Sequence, residues 1–247
     1  MSYRLPVFSL LAVLVTLSAA CGTSSVYRPG AMAGFDPLTP PVINDEAIEK
    51  AFQAKPQIGT GLKVAYYTFD PDRVEDVEAM LAEVPNVSGT YRIPSLMATG
   101  DRRFDGPRPY WQPAPTFSLE KLRLLAARAH CDVLLVFDYG YKVESTPNGL
   151  VALNALIVPV FFVPFLDEKV ESYLDAYVID VRNGYLYAHV ASDESSQREY
   201  ETIWSDKATR DVDQQWSTLV RQTAERLAPV VQPDAAVAAR RAKPDTE

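Results

Sequence analysis

Apart from Asn154, every residue from Leu153 to Leu166 in the stretch LNALIVPVFFVPFLDEK is apolar or proline, and the next charge is Asp167. Such a segment must be kept from water, which limits the folds open to the chain. A membrane-spanning helix does not fit, because Pro159 and Pro164 each break interior hydrogen bonds and the run is short of about 20 residues. A porin-like strand pair fits poorly too. Its lumen-facing row needs a polar residue at alternate places, whereas Leu156, Ile157, Val158, Val160, Phe161, Phe162 and Val163 are apolar on both faces. A strand covered on both sides remains, with proline at its ends or at a sheet edge. Covered by helices of the same chain, the stretch is core. Left uncovered, it docks a second copy, a partner or the membrane interface. The sequence leaves these three open.

The first residues address the compartment. MSYRLPVFSLLAVLVTLSAAC carries one charge, Arg4, an apolar run from Leu5 to Leu17 and small residues before Cys21. Residues 1–20 therefore read as a signal peptide. Leu17, Ser18, Ala19 and Ala20 before Cys21 resemble the lipobox of bacterial lipoproteins, which implies a diacylglyceryl thioether on Cys21 and acylation, commonly with palmitate, of its new amino group. Gly22 in place of aspartate implies the inner leaflet of the outer membrane, with the folded part facing the periplasm. Residues 21–43, rich in Gly, Pro, Ser and Thr, read as a flexible tether. Residues 44–228 read as a single α/β domain holding the apolar stretch at 150–166, and 229–247 as a disordered tail.

With Cys21 acylated, Cys131 has no disulfide partner and reads as a small buried hydrophobe, so the fold rests on its core. The net charge of −8 argues against nucleic acid or an anionic membrane surface as the main partner. His130 and His189 lie outside any metal-ligand spacing, and the chain lacks a Gly-x-Ser-x-Gly elbow, a P-loop and a Gly-x-Gly-x-x-Gly turn. No cofactor, metal or catalytic group is expected. The acidic pairs near Asp70 and Glu75 suit the first turn of a helix.

Local patterns give an element order. NDEAIEKAFQAK reads as a helix with Ile48, Ala51 and Phe52 on one face, and LKVAYYTF as a strand. DPDRVEDVEAMLAEV places Asp70 at an N-cap, Pro71 at the first helical position and Val74, Val77, Leu81 and Val84 on one stripe. NVSGTYRIPSLM is a strand weakened by Gly89 and Pro94. Residues 99–116 read as a loop, SLEKLRLLAARAHCD as a helix, and CDVLLVFDYGYKVES as a buried strand turning amphipathic. EKVESYLDAYVIDV and YLYAHVASDES flank Asn183-Gly184, a strong hairpin signal. A last helix from about Asp211 to Leu227 buries Trp216, Leu219, Val220, Thr223 and Leu227. A mixed sheet with helices packed against it follows.

LRLLAARAHCDVLLVFDYGYKVE, followed by LDAYVIDVRNGYLYAHVAS, resembles the superfamily of envelope lipoproteins that includes the curli-secretion channel subunit, the outer-membrane activators of penicillin-binding proteins and the amino-terminal domain of TolB. Asp132 and Val133 match its Asp-Val strand, and Asp180 and Gly184 its Asp-x-x-x-Gly hairpin start. A narrower likeness is to the uncharacterised rhombotarget lipoproteins. The resemblance implies a TolB amino-terminal-domain-like fold and a non-enzymatic factor that binds or assembles with another envelope protein or with itself. A subunit of a secretion or export complex is the alternative, and a periplasmic hydrolase a further one. The expected contact residues are Val160, Phe161, Phe162 and Phe165 of the apolar stretch. Arg102, Arg103, Phe104, Tyr110 and Trp111 of the loop DRRFDGPRPYWQP join them, being of the types that dominate interfaces.

Overall fold

The computed structural model describes residues 24–28, 44–99, 118–147, 166–201 and 207–233. In chain order the elements are β1 (Ser24–Arg28), α1 (Asp45–Gln53), β2 (Leu62–Thr68), α2 (Val74–Glu83), β3 (Val87–Arg92), α3 (Ser95–Thr99), α4 (Leu119–Arg128), β4 (Val133–Pro147), β5 (Leu166–Asp180), β6 (Leu186–Glu201) and α5 (Lys207–Val230). The strands form one sheet in the order β3-β2-β4-β5-β6, and β1 also pairs with β4. It is mixed. β2 runs parallel to both β3 and β4, and β1 antiparallel to β4. The fold is thus α/β, with helices packed on a mixed sheet, as the element order predicts.

Contacts divide the chain into two compact units. One comprises Met1–Arg28, Tyr141–Ser172 and Glu194–Trp216, and the other Pro29–Gly140, Tyr173–Asp193 and Ser217–Glu247. In the larger unit β2 connects to β3 through α2, and β3 to β4 through α4, in opposite directions along the sheet. Right-handed crossovers of opposite direction put their helices on opposite faces. Accordingly Leu122, Leu125 and Ala126 of α4 share a core with Ala65, Tyr67, Leu134, Val136, Ile179 and Val181. Tyr66, of opposite parity, lies on the other face beside Glu78 of α2. Burial, with that carboxylate, pushes its phenol well above the ordinary range. Each fully buried leucine or valine here contributes roughly 1.5–3 kcal/mol.

Two caps fix this unit. Asp70 accepts from the Asp72 amide at 3.1 Å, capping a 3₁₀ turn over Pro71–Arg73 that leads into α2. Ser118 caps α4 through the Lys121 amide. Its hydroxyl also donates to Glu120 at 2.6 Å, which holds that carboxyl below its ordinary range.

In the smaller unit, β1 pairs with β4 in the register Ser24 with Ser145 through Arg28 with Tyr141. Within the expected tether over 21–43, residues 24–28 thus form a strand, and the rest lies outside the described residues. Val26 and Tyr27 are strand formers, and β4 runs on past its pairing with β2 at Val133–Phe137, which gives them an edge to pair with. The first half of α5 meets the strands through polar contacts. Gln215 accepts from Ser172 at 2.5 Å and donates to the Val170 carbonyl at 3.0 Å and to Ser196 at 2.9 Å. Arg198 grips the buried Asp211 with two bonds, at 2.5 and 2.6 Å.

At its other end α5 outruns the expected stop near Leu227. Val231 is buried and its carbonyl accepts from Asn86, so ordered chain continues past the expected tail start at 229.

Candidate binding face

All the contact residues expected from sequence lie outside the described residues: Cys21, Arg102, Arg103, Phe104, Tyr110, Trp111, Val160, Phe161, Phe162 and Phe165. Two other groups of side chains converge in the larger unit. One explains the sequence motif, and the other offers a binding surface.

The motif residues hold the β5–β6 hairpin to the start of the sheet. Asp180 is buried, and its carboxylate accepts from the amides of Arg182 at 2.8 Å and Asn183 at 3.2 Å and from the Tyr187 hydroxyl at 2.6 Å. Tyr187 in turn accepts from the Gln57 amide at 2.7 Å. Burial and the bond to Asp180 raise its phenol well above the usual value. Asp132 accepts from the Lys63 amide at 3.2 Å and pairs with Arg182 at 2.6 Å, so Arg182 links the hairpin turn to the Asp-Val element. Gly184 closes the turn at φ +76°, and a Cβ there would lie 2.8 Å from the Arg123 guanidinium. Asp132, Asp180 and Gly184 therefore act as folding residues.

The binding surface follows from strict alternation in β5. Ser172, Leu174, Ala176, Val178 and Asp180 are buried on one face, whereas Tyr173, Asp175 and Tyr177 of the other are half-buried. On that second face α4 covers Ile179 and Val181, with Tyr177 packed at the margin. His189 of β6 joins from the next strand. Its ring stacks on Tyr177 at 4.5 Å and 7°, and its Nε2 lies 3.0 Å from Asp175. Asp138 of β4 shares the parity of Leu134 and Val136 and so belongs to the same face, where it is buried.

Burial first, then the carboxylates of Asp175 and Asp138, raise the Tyr177 phenol. Tyr173 packs against Gly140, where a Cβ would lie 2.5 Å from its hydroxyl. Two tyrosines and a histidine thus present ring surface beside the partly exposed Asp175 carboxylate, a combination suited to a basic or aromatic side chain of a partner.

Among the described residues no group of three His, Cys, Asp or Glu side chains is arranged to hold a metal. His130 is a structural residue: it sits at φ 56° just past α4, where the Cys131 amide bonds back to Ala126 at 3.0 Å. Cys131 is buried, and burial, reinforced by Asp132, raises its thiol. Sequence reasoning passed over Asp138, Tyr173, Asp175 and Tyr177. The period-two pattern Glu171, Tyr173, Asp175, Tyr177 opposite Ser172, Leu174, Ala176, Val178 was the available signal.

No family model matches the chain, and no curated protein does. Among solved structures it is similar to the hypothetical protein CT253 from Chlamydia trachomatis, with 11% identity over 70% of this chain and 98% of that one and a TM-score of 0.33. That similarity carries no argument about function.

Proposed function

We propose that this chain is a non-enzymatic binding and assembly factor of the cell envelope with a TolB amino-terminal-domain-like fold, held by lipid on Cys21 at the inner leaflet of the outer membrane and facing the periplasm. The observation that carries the binding reading is the half-covered face of Tyr173, Asp175, Tyr177 and His189, with ring surface and carboxylate together at the margin of the core. The lipobox-like residues 17–21 support the anchor, and the joined roles of Asp132 and Asp180 support the superfamily likeness. The partner is another envelope protein or a second copy. Val160, Phe161, Phe162 and Phe165, with the loop residues Arg102, Arg103, Phe104, Tyr110 and Trp111, are further candidate contact residues under this proposal.

A photoreactive residue at position 177 in the full chain tests it in cells. The account expects one defined adduct, lost on Asp175→Lys, while the same probe at the exposed Arg221 gives none. Equal, diffuse labelling from both positions contradicts it.

A second reading, a subunit of a secretion or export complex, draws on strand length. β4 and β5 each run 15 residues and β6 runs 16, where about 5–6 is usual.

A further inference from the structure

On the half-covered face, a side chain of the type that changes charge near neutral pH sits against the carboxylate that a cationic partner needs. Nε2 of His189 lies 3.0 Å from Oδ1 of Asp175, and its ring is stacked on Tyr177 with the planes 7° apart. The stack fixes the plane of the imidazole and so directs Nε2 at the carboxylate. Both side chains are open to water, His189 at 44% exposure and Asp175 at 23%. A partner's lysine or arginine can reach Asp175, and solvent protons can reach His189.

Neutral and protonated imidazole act on that carboxylate in opposite ways. A neutral ring with its proton on Nε2 donates one hydrogen bond and leaves the negative charge in place. An imidazolium donates the same bond, cancels the charge and sets a positive charge beside the ring surface, where it repels an incoming cation. An imidazole ordinarily makes this change between about pH 5 and pH 8. The other groups around His189 do not reproduce it. On β5 these are Tyr173 and Tyr177, and burial raises the Tyr177 phenol, which stays neutral over that range. On β4 there is the buried Asp138; on the strand of His189 itself there are Tyr187, bonded to Asp180, and the exposed Asp193 of the same parity. Arg226 of α5 donates to the Ala191 carbonyl and Arg123 of α4 to the Val181 carbonyl, and arginine keeps its charge throughout.

We infer that His189 makes this face a pH-dependent site for a cationic side chain, lysine or arginine, of the partner: neutral, it leaves the charge of Asp175 to the incoming cation, and protonated, it takes that charge for itself. The inference deepens the proposed binding function and rests on it. Charge complementarity selects the cation over an aromatic occupant. A ring laid on the same surface would desolvate Asp175 and bring no charge in return, whereas an ammonium or guanidinium pairs with it. Association through the face is therefore strongest at the alkaline end of the range and weakens as pH falls through it.

The test places a photoreactive residue at Ala191, exposed on β6 two residues from His189, in the full chain in isolated membranes buffered at pH 8 and pH 5.5 at one ionic strength. With His189 present, the adduct yield should fall severalfold from pH 8 to pH 5.5. His189→Gln, which keeps a donor without a charge, should give the high yield at both values. His189→Lys, charged at both, should give the low yield at both. A merely structural role for His189 would lower the yield of the two variants alike. That result, or an equal yield at the two pH values with His189 present, overturns the inference while the adduct upholds the binding reading. No adduct at either pH in any of these chains overturns the binding reading and the inference with it.

Discussion

Asn86 sits at φ 70° in the turn before β3 and uses its whole amide there. Its carbonyl oxygen accepts from the Gly61 amide at 2.7 Å, and its nitrogen donates to the carbonyls of Gly59 at 2.8 Å and Val231 at 2.7 Å. One side chain thereby joins the entry to β2 with the end of α5. Asn86→Ala strands three backbone groups and puts a less tolerant residue at a left-handed position, so denaturant unfolding should show a loss of about 2 kcal/mol or more.

Tyr187 makes a pH prediction of definite sign. Its folded pKa is raised above the ordinary 10.0, so its contribution is complete below that pH and is lost as pH rises through the folded value. Unfolding free energy should fall above about pH 10, and Tyr187→Phe should flatten that fall in titrated denaturation curves. Glu120 has the opposite sign. Its lowered carboxyl contributes fully above its ordinary 4.5 and fades as pH drops through the folded value, but its exposure keeps the effect small.

Among the elements, those with a regular apolar period were legible in the sequence, and those that depend on a distant partner were not. α2 and α4 bury the residues their 3.6 spacing marks, and β4 to β6 lie where alternation and Asn183-Gly184 put them. β1 is five residues of mixed polarity and becomes a strand only because β4 offers an edge. The face of Asp138, Asp175, Tyr177 and His189 needs three strands in register, which no local pattern states. The polar seat of the first half of α5 was hidden for the same reason: Gln215 reads as a surface residue until Ser172 and Ser196 are placed beside it.

Two predictions belong to these elements. Gln215→Ala leaves Ser172, Ser196 and the Val170 carbonyl without their buried partner and should cost about 2 kcal/mol in denaturant unfolding. A chain beginning at Asn44 lacks β1 and exposes the edge of β4 at 141–145, so light scattering should show more self-association than for a chain beginning at Thr23. Equal behaviour of the two would mean that β1 does not protect that edge.

For the molecule as a whole, the proposed function makes one claim: the chain works by association, through the half-buried face of Tyr173, Asp175, Tyr177 and His189. The measurement that tests this most directly is the mass of the full chain extracted from membranes in mild detergent, by light scattering, compared with its Asp175→Lys variant. The account predicts a wild-type complex well above the 27.4 kDa of one chain, reduced to a single chain by the substitution with the helical signal unchanged. A wild-type mass of one chain, the same as the variant's across the concentration series, contradicts it.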